Sequence, residues 1–184
     1  DGAQSFLKRD TGISIPSDSM SYLEPIMSSK LWNEVAKFKE RKHFETPYVV
    51  KIHNYASLGE TKLCFRFDHP NWSKRIDNRR FVKLEFKIRC DATLHGFAGY
   101  FHSNLFGKHS ISINPATFSD GMFSWFPIYF PIRNPIYVKR DEIVKVFMWR
   151  CVSSKKVWYE WAVSTSSVKT PIHNPKGRSY WIGL

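Results

Sequence analysis

The sequence is poor in cysteine: Cys64, Cys90 and Cys151 stand alone among 184 residues, and no C-x-x-C pair occurs. An odd, widely spaced set reads as reduced, mostly buried thiols of an intracellular protein, not as a disulfide scaffold. Zinc is disfavoured too, because Cys64 and His69 have no second pair to complete a tetrahedral set. Long apolar runs are missing: no stretch approaches the ~20 residues of a membrane span. The opening "DGAQSFLKRD" lacks the apolar centre of a secretory leader. No membrane partner is therefore expected, and a start at Asp1 instead of Met reads as a piece of something longer. Carboxylates are also scarce, 16 against 28 lysines and arginines, for a net charge of +12. None of them pairs on an apolar strand face in the way general acid–base chemistry uses. The sequence has no G-x-G-x-x-G, P-loop, G-x-S-x-G or H-E-x-x-H, which leaves no dinucleotide, phosphate, esterase or zincin signature. Seven scattered histidines read as surface or hydrogen-bonded structural residues.

What is abundant is aromatic side chains, 16% of residues, which suit half-buried sheet surfaces. Residues 1–28 show little periodicity and read as an ordered connector, with enough apolar groups (Phe6, Leu7, Ile13, Ile15, Tyr22, Leu23) to pack on something. From Ser29 the period becomes helical: Leu31, Trp32, Val35 and Phe38 recur on one face, with Ser28 or Ser29 as N-cap. Lys37, Lys39, Arg41 and Lys42 then fall in the last turns, where cations complement the helix dipole. This defines a helical arm over 29–43.

After Pro47 the period becomes two. "RFVKLEFKIRC" sets Phe81, Lys83, Glu85, Lys87 and Arg89 against Val82, Leu84, Phe86, Ile88 and Cys90. "YVVKIHNY", "KLCFRFDH", "TLHGFAGYF", "SISINP", "PIYVKR", "IVKVFMWRC", "VWYEWAVS" and "SYWIGL" are further strands, separated by turn signals such as "HPNW" and "HNPKG". Gly96 and Gly99 mark a bulge or a close backbone approach. Eight to ten short strands predict a mainly β domain over 44–184, an antiparallel barrel or sandwich with one N-terminal helical arm. Glu160, flanked by indoles, reads as an outward carboxylate paired with Lys155, Lys156 or a cross-strand arginine, not as a catalytic acid. The stretch "GMFSWFPIYFPI" is a poor central strand, since Pro127 and Pro131 cannot donate to a ladder, yet it is too apolar for idle exposure.

Taken together, "DGAQSFLK", "GISIP", "PYVVKIHN", "CFRFDHPN", "LHGFAGYF", "GMFSWFPIYFPI", "KKVWYEWAV" and "IHNPKGRSYWIGL" closely resemble the C-terminal region of the type II protein arginine methyltransferases. The resemblance runs from Asp1 to Leu184 with short gaps. It implies the β-barrel of a three-part enzyme that moves methyl groups from S-adenosylmethionine to arginine, giving symmetric dimethylarginine. It further implies that the cofactor loop and the catalytic glutamates precede this stretch, so that this chain holds no catalytic residue and no cofactor site. By the same resemblance, Ser124, Trp125 and Phe126 form one wall of the substrate-arginine tunnel. Trp125 would stack on the guanidinium, while Ser124 and the Phe126 backbone would bond the substrate peptide. Lys39, Glu40, Arg41 and Lys42 would reach a neighbouring subunit in a homo-oligomer. Partners would be arginine- and glycine-rich tails such as those of histones and Sm proteins, with a WD-repeat adaptor on the absent N-terminal domain. Localisation would be cytoplasmic and nuclear. The alternative is a stand-alone basic β-barrel binding single-stranded nucleic acid through aromatic rings and cations, related to methyltransferases in architecture only. Residues 1–184 alone are expected to bind no S-adenosylmethionine; calorimetry giving micromolar affinity would contradict the assignment of the cofactor site to a preceding domain.

Overall fold

The computed structural model describes residues 2–184; Asp1 lies outside them. Two antiparallel sheets face each other. The first is built from β1 (Asp18–Met27), β2 (Tyr48–Val49), β3 (Ala56–Ser57), β4 (Lys62–Asp68), β6 (Ala92–Phe106), β7 (His109–Ser112) and β8 (Ile128–Val138). Its order is β2-β8-β6-β1-β3, with β4 also on β1 and β7 on β6. The second is built from β5 (Arg80–Lys87), β9 (Ile143–Val152), β10 (Lys156–Ser164) and β11 (Ile182–Gly183), in the order β11-β10-β9-β5. The sheets do not join into a closed barrel, so the sandwich is the form of the predicted class that the chain adopts.

The first sheet is covered twice. Between the sheets lies a core of Leu23, Phe97, Phe130 and Ile132 from one side and Phe86, Val146, Met148 and Trp161 from the other. The opposite face of the first sheet packs Ile26, Ala98, Tyr100 and Tyr129 beneath α1 (Ser29–Ala36), which contributes Val35 and, partly buried, Leu31 and Trp32. This double burial explains why β1 escapes a period-two reading. Its central residues serve both faces, so Tyr22–Ile26 look uniformly apolar apart from Glu24 and Pro25. Residues 18–27, placed by sequence in the connector, are therefore a central strand paired with β4, β3 and β6. Buried Glu24 is satisfied by the Tyr100 hydroxyl, which donates at 2.7 Å.

The helical arm is shorter than its pattern. Ser28 caps α1, its hydroxyl accepting from Leu31 N–H. Lys39, at φ 58°, reverses the chain, its N–H donating to Ala36 C=O at 3.0 Å. Lys39, Arg41 and Lys42 thus lie beyond the helix, and Arg41–Glu45 forms a separate 3-10 turn. Trp32 packs on its own domain and donates to Ile132 C=O at 2.9 Å. Phe38 does not follow it into the core; it stays exposed and stacks on His43 at 4.2 Å.

The proline-rich strand is tolerated for a local reason. β2 pairs only with residues 128–129 of β8, so Pro131 and Pro135 lie on an open edge. On the other side β6 breaks register between Leu94 and Gly96. There a side chain at Gly96 would collide with Phe130 C=O, which is the close approach its glycine signalled. Pro131 C=O accepts instead from the Trp161 indole at 2.8 Å, tying the sheets together.

Two buried polar groups anchor the C-terminal segment. Glu45, 3% exposed, accepts from Arg178 Nε at 2.9 Å, from Arg178 Nη2 and from the Ser179 hydroxyl. Although burial opposes its charge, these bonds and the Arg178 guanidinium hold its carboxyl below the usual range. Buried His173 stacks on Trp161, accepts from Arg133 N–H at 3.2 Å through Nε2, and sits 3.1 Å from Trp161 C=O through Nδ1. Burial lowers its pKa from the ordinary imidazole value of 6.5. Arg178→Ala, which removes two of the hydrogen bonds that hold the buried Glu45 carboxylate, should lower the urea unfolding midpoint of the domain; an unchanged midpoint would refute that role. Because the unfolded chain binds the His173 proton more readily, stability should be full above about pH 6.5 and fall as pH drops below it. Thermal melts from pH 8 to 5 test this, and a flat midpoint across the range contradicts it.

Candidate functional site

The sequence 119–127 leaves the sheet because it has little to pair with. Ser119 N–H closes onto Ser112 C=O at 3.0 Å, Gly121 turns at φ 82°, and Phe123 N–H reaches back to Gly121 C=O at 2.9 Å. The loop is rooted at Pro127, whose carbonyl accepts from Val50 N–H at 3.0 Å just before β8 begins. Ser124, Trp125 and Phe126 project together from this rigid exit. Trp125 is 57% exposed and meets Phe101 edge to face, with centroids 5.4 Å apart and planes at 63°. Phe123, on the outer turn, is 86% exposed.

These three residues border a recess of about 370 Å³ at one end of the sandwich, open between the sheets. Tyr22, Phe65 and Phe101 of the first sheet and Met148 and Tyr159 of the second line it. Among the described residues, the lining holds no carboxylate, histidine, lysine or arginine. Its one thiol, Cys64, is pushed up to about 12 by burial and stays protonated at neutral pH. The recess therefore supplies shape and an apolar, π-rich lining, and neither an activated nucleophile nor a general base. It does not fit S-adenosylmethionine as a binding site, because no acidic group is present to take the ribose hydroxyls or amino group of such a ligand. Among the described residues no cluster of three or more His, Cys, Asp or Glu side chains is arranged to hold a metal, and no helix is long and apolar enough to cross a membrane.

Glu160 has partners other than those expected. Its Oε1 accepts from the Trp158 indole at 2.8 Å and from Lys176 N–H at 2.7 Å, so it fastens the C-terminal segment onto β10. The four arm residues, Lys39 to Lys42, lie apart from the loop, beyond α1, and are all exposed. Lys42 pairs with Glu40 at 2.9 Å, and Arg41 approaches Glu45 at 3.8 Å. Pattern reading finds the loop but misses its floor. Phe65, Phe101 and Tyr159 carry no motif, and only the register between sheets brings them under Trp125.

With this geometry in hand, comparison with known proteins is decisive. Residues 18–182 match the family model described as the PRMT5 oligomerisation domain. The chain belongs to the PRMT5 oligomerisation-domain family. It is 52% identical over 187 residues to protein arginine N-methyltransferase 5 of Oryza sativa subsp. indica, covering 100% of this chain and 28% of that protein. The Xenopus laevis protein of the same name is 52% identical over 189 residues, covering 100% of this chain and 30% of its own length. The chain thus spans less than a third of these relatives. Two solved structures share the fold. A Trypanosoma brucei PRMT1 enzyme–prozyme heterotetrameric complex with AdoHcy superposes at TM-score 0.71 and 12% identity, over 95% of this chain and 60% of that one. Arabidopsis thaliana protein arginine methyltransferase 10 does so at 0.69 and 14%, over 98% and 64%. An architectural likeness alone, the alternative drawn from composition, does not account for 52% identity along the whole chain. In this member of the PRMT5 domain family the loop over the recess is held by its Pro127 anchor. Pro127→Gly should loosen it and leave the core intact: faster proteolysis near Trp125 with an unchanged melting midpoint is expected, and unchanged cleavage would argue against the anchor.

Proposed function

We propose that this chain is the substrate-side and oligomerisation domain of a type II protein arginine methyltransferase, which transfers methyl groups from S-adenosylmethionine to arginine and forms symmetric dimethylarginine. The observation that carries the substrate side is Trp125: an exposed indole, on a loop held by Pro127, at the rim of an apolar recess. A flat cation laid against that ring gains ~1–2 kcal/mol once desolvated, and a guanidinium is flat, weakly hydrated and always charged. Ser124 and the Phe126 backbone offer polar groups to the peptide around such an arginine. The reacting groups belong to another part of the protein, in keeping with a recess that has no base. Arginine- and glycine-rich tails of histones and Sm proteins are the substrates this reading names. A WD-repeat adaptor on a preceding domain and residence in cytoplasm and nucleus complete it. Lys39–Lys42 form the subunit contact. Their mixed charges are exposed on a turn held by Glu45, and the family model describes an oligomerisation domain.

In the full-length enzyme, Trp125→Ala should lower methyl transfer to an arginine–glycine-rich peptide about tenfold or more, the kinetic equivalent of ~1–2 kcal/mol. S-adenosylmethionine affinity should be unchanged, and Trp125→Phe should recover part of the loss. Wild-type turnover in the alanine variant overturns the substrate assignment. Separately, Glu40→Lys combined with Arg41→Glu should shift the full-length assembly to smaller species in sedimentation velocity; an unchanged distribution removes the arm from the contact.

A further inference from the structure

The outer face of the second sheet carries a feature that the methyltransferase reading does not use. In the β5–β9 ladder Phe81 pairs with Trp149, Lys83 with Phe147 and Glu85 with Lys145, while Val82, Leu84 and Phe86 turn inward opposite Met148, Val146 and Val144. Three aromatic rings therefore stand stacked side by side on the outer face, Phe147 and Trp149 half-buried and Phe81 exposed. Phe81 and Trp149 are 5.1 Å apart at 30°, and Trp149 and Phe147 are 6.2 Å apart at 19°. Phe81, on the edge strand, is 57% exposed. The C-terminal segment approaches this face from the β10 side, Gly177 packing against the Trp158 indole and Lys176 N–H bonding Glu160, the cross-strand partner of Trp149, while Phe81 on the opposite edge stays exposed.

Cations flank the rings along the strand direction. Lys83 and Lys145 stand at one end and share a single carboxylate, Glu85, at 2.8 and 3.9 Å, which leaves one ammonium in excess. Arg79 lies at the other end, beside Cys151 and paired with Asp77 at 2.6 Å. Lys156 sits 4.8 Å over the Trp158 ring. A further carboxylate of this face, Glu160, is occupied by the Trp158 indole and Lys176 N–H. From Lys145 to Cys151 the strand covers about 20 Å, room for several nucleotides.

From this arrangement we propose that the face is a binding platform for single-stranded nucleic acid, a base stacking on the outer face of Phe81, which extends the ring stack formed with Trp149 and Phe147, and phosphates meeting Lys83, Lys145 and Arg79. Every base has a π face, so such a platform is tolerant of sequence, and its phosphate contacts make it salt-sensitive. The net charge of +12 favours a polyanion over the arginine-rich peptides of the Trp125 loop. The platform and the loop are on opposite sides of the second sheet, since Met148 and Tyr159 line the recess while Phe147 and Trp149 face outward. Both can be occupied at once.

The test uses the full-length protein and a labelled ten-nucleotide oligouridine in fluorescence anisotropy. Wild-type binding should weaken with salt. Phe81→Ala and Trp149→Ala should each lower affinity at least about tenfold. Lys83→Ala with Lys145→Ala should flatten the log–log salt slope by about 0.7 for each phosphate no longer neutralised. Phe81→Ala removes an exposed ring and retains the fold, so it carries the test even where Trp149→Ala unfolds. Wild-type affinity in Phe81→Ala, equal affinity for duplex of the same sequence, displacement by polyglutamate at matched charge, or no binding by the wild type each overturns the proposal. Peptide methylation by Phe81→Ala should stay at the wild-type rate, which keeps this result separate from that of Trp125→Ala.

Discussion

Because β6 sets Leu94 and Phe97 toward one side and Ala98 and Tyr100 toward the other, the first sheet is apolar on both faces and has to be covered on both. The second sheet covers one face and α1 with the 3-10 turn at Arg41–Glu45 covers the other. The remaining architecture follows from that demand. β1 is drawn into the middle of the sheet, and Trp32 is drawn down to Ile132 C=O. The Glu45–Arg178–Ser179 cluster locks the C-terminal segment to the arm. Breaking either cover would expose a contiguous apolar surface, so arm and sandwich form a single unit.

That construction also decides where surface is left for function. Where the two sheets splay at one end, the core opens into the recess beneath Trp125, lined by rings and by a thiol that stays protonated. A site of this kind can hold and orient a flat cation but cannot move a proton. The outer face of the second sheet is different in kind: its stacked rings stand between cations, and the edge ring, Phe81, is exposed.

The loop and the platform make opposite use of the same residue types. On the two proposals, the loop would set an indole against a cation from the partner, whereas on the outer face the cations belong to the protein and the partner would bring the negative charge. A domain with a net charge of +12 repels arginine-rich peptides within a Debye length, ~8 Å at physiological salt, beyond which the charges are screened. Under the proposed reading, attraction of such peptides would come from acidic surface outside this chain.

Much of this was legible in the residue order. Period two in "RFVKLEFKIRC" named the inner and outer faces of β5 correctly, the glycine pattern of "TLHGFAGYF" located the bulge, and Ser28 was a readable N-cap, because each rests on local geometry alone. The loop "FSWFP" was readable too, since prolines deny a ladder its donors and aromatics outside a ladder demand a reason. Three things were beyond it. β1 carries no period, because a strand buried on both faces has no polar side to alternate with. The partners of Glu160 include a turn sixteen residues on, which no spacing rule connects. The floor of the recess and the three-ring platform depend on strand register and on which segment ends where. Residue order alone thus dictates the class of fold and the helix start, consequences of short-range sterics and hydrogen bonding, whereas the Trp125 loop as an exposed wall was legible only through the family resemblance. What lies under that loop, and which rings stay in water, emerges only once the chain has folded, because both are set by pairings between residues far apart along it.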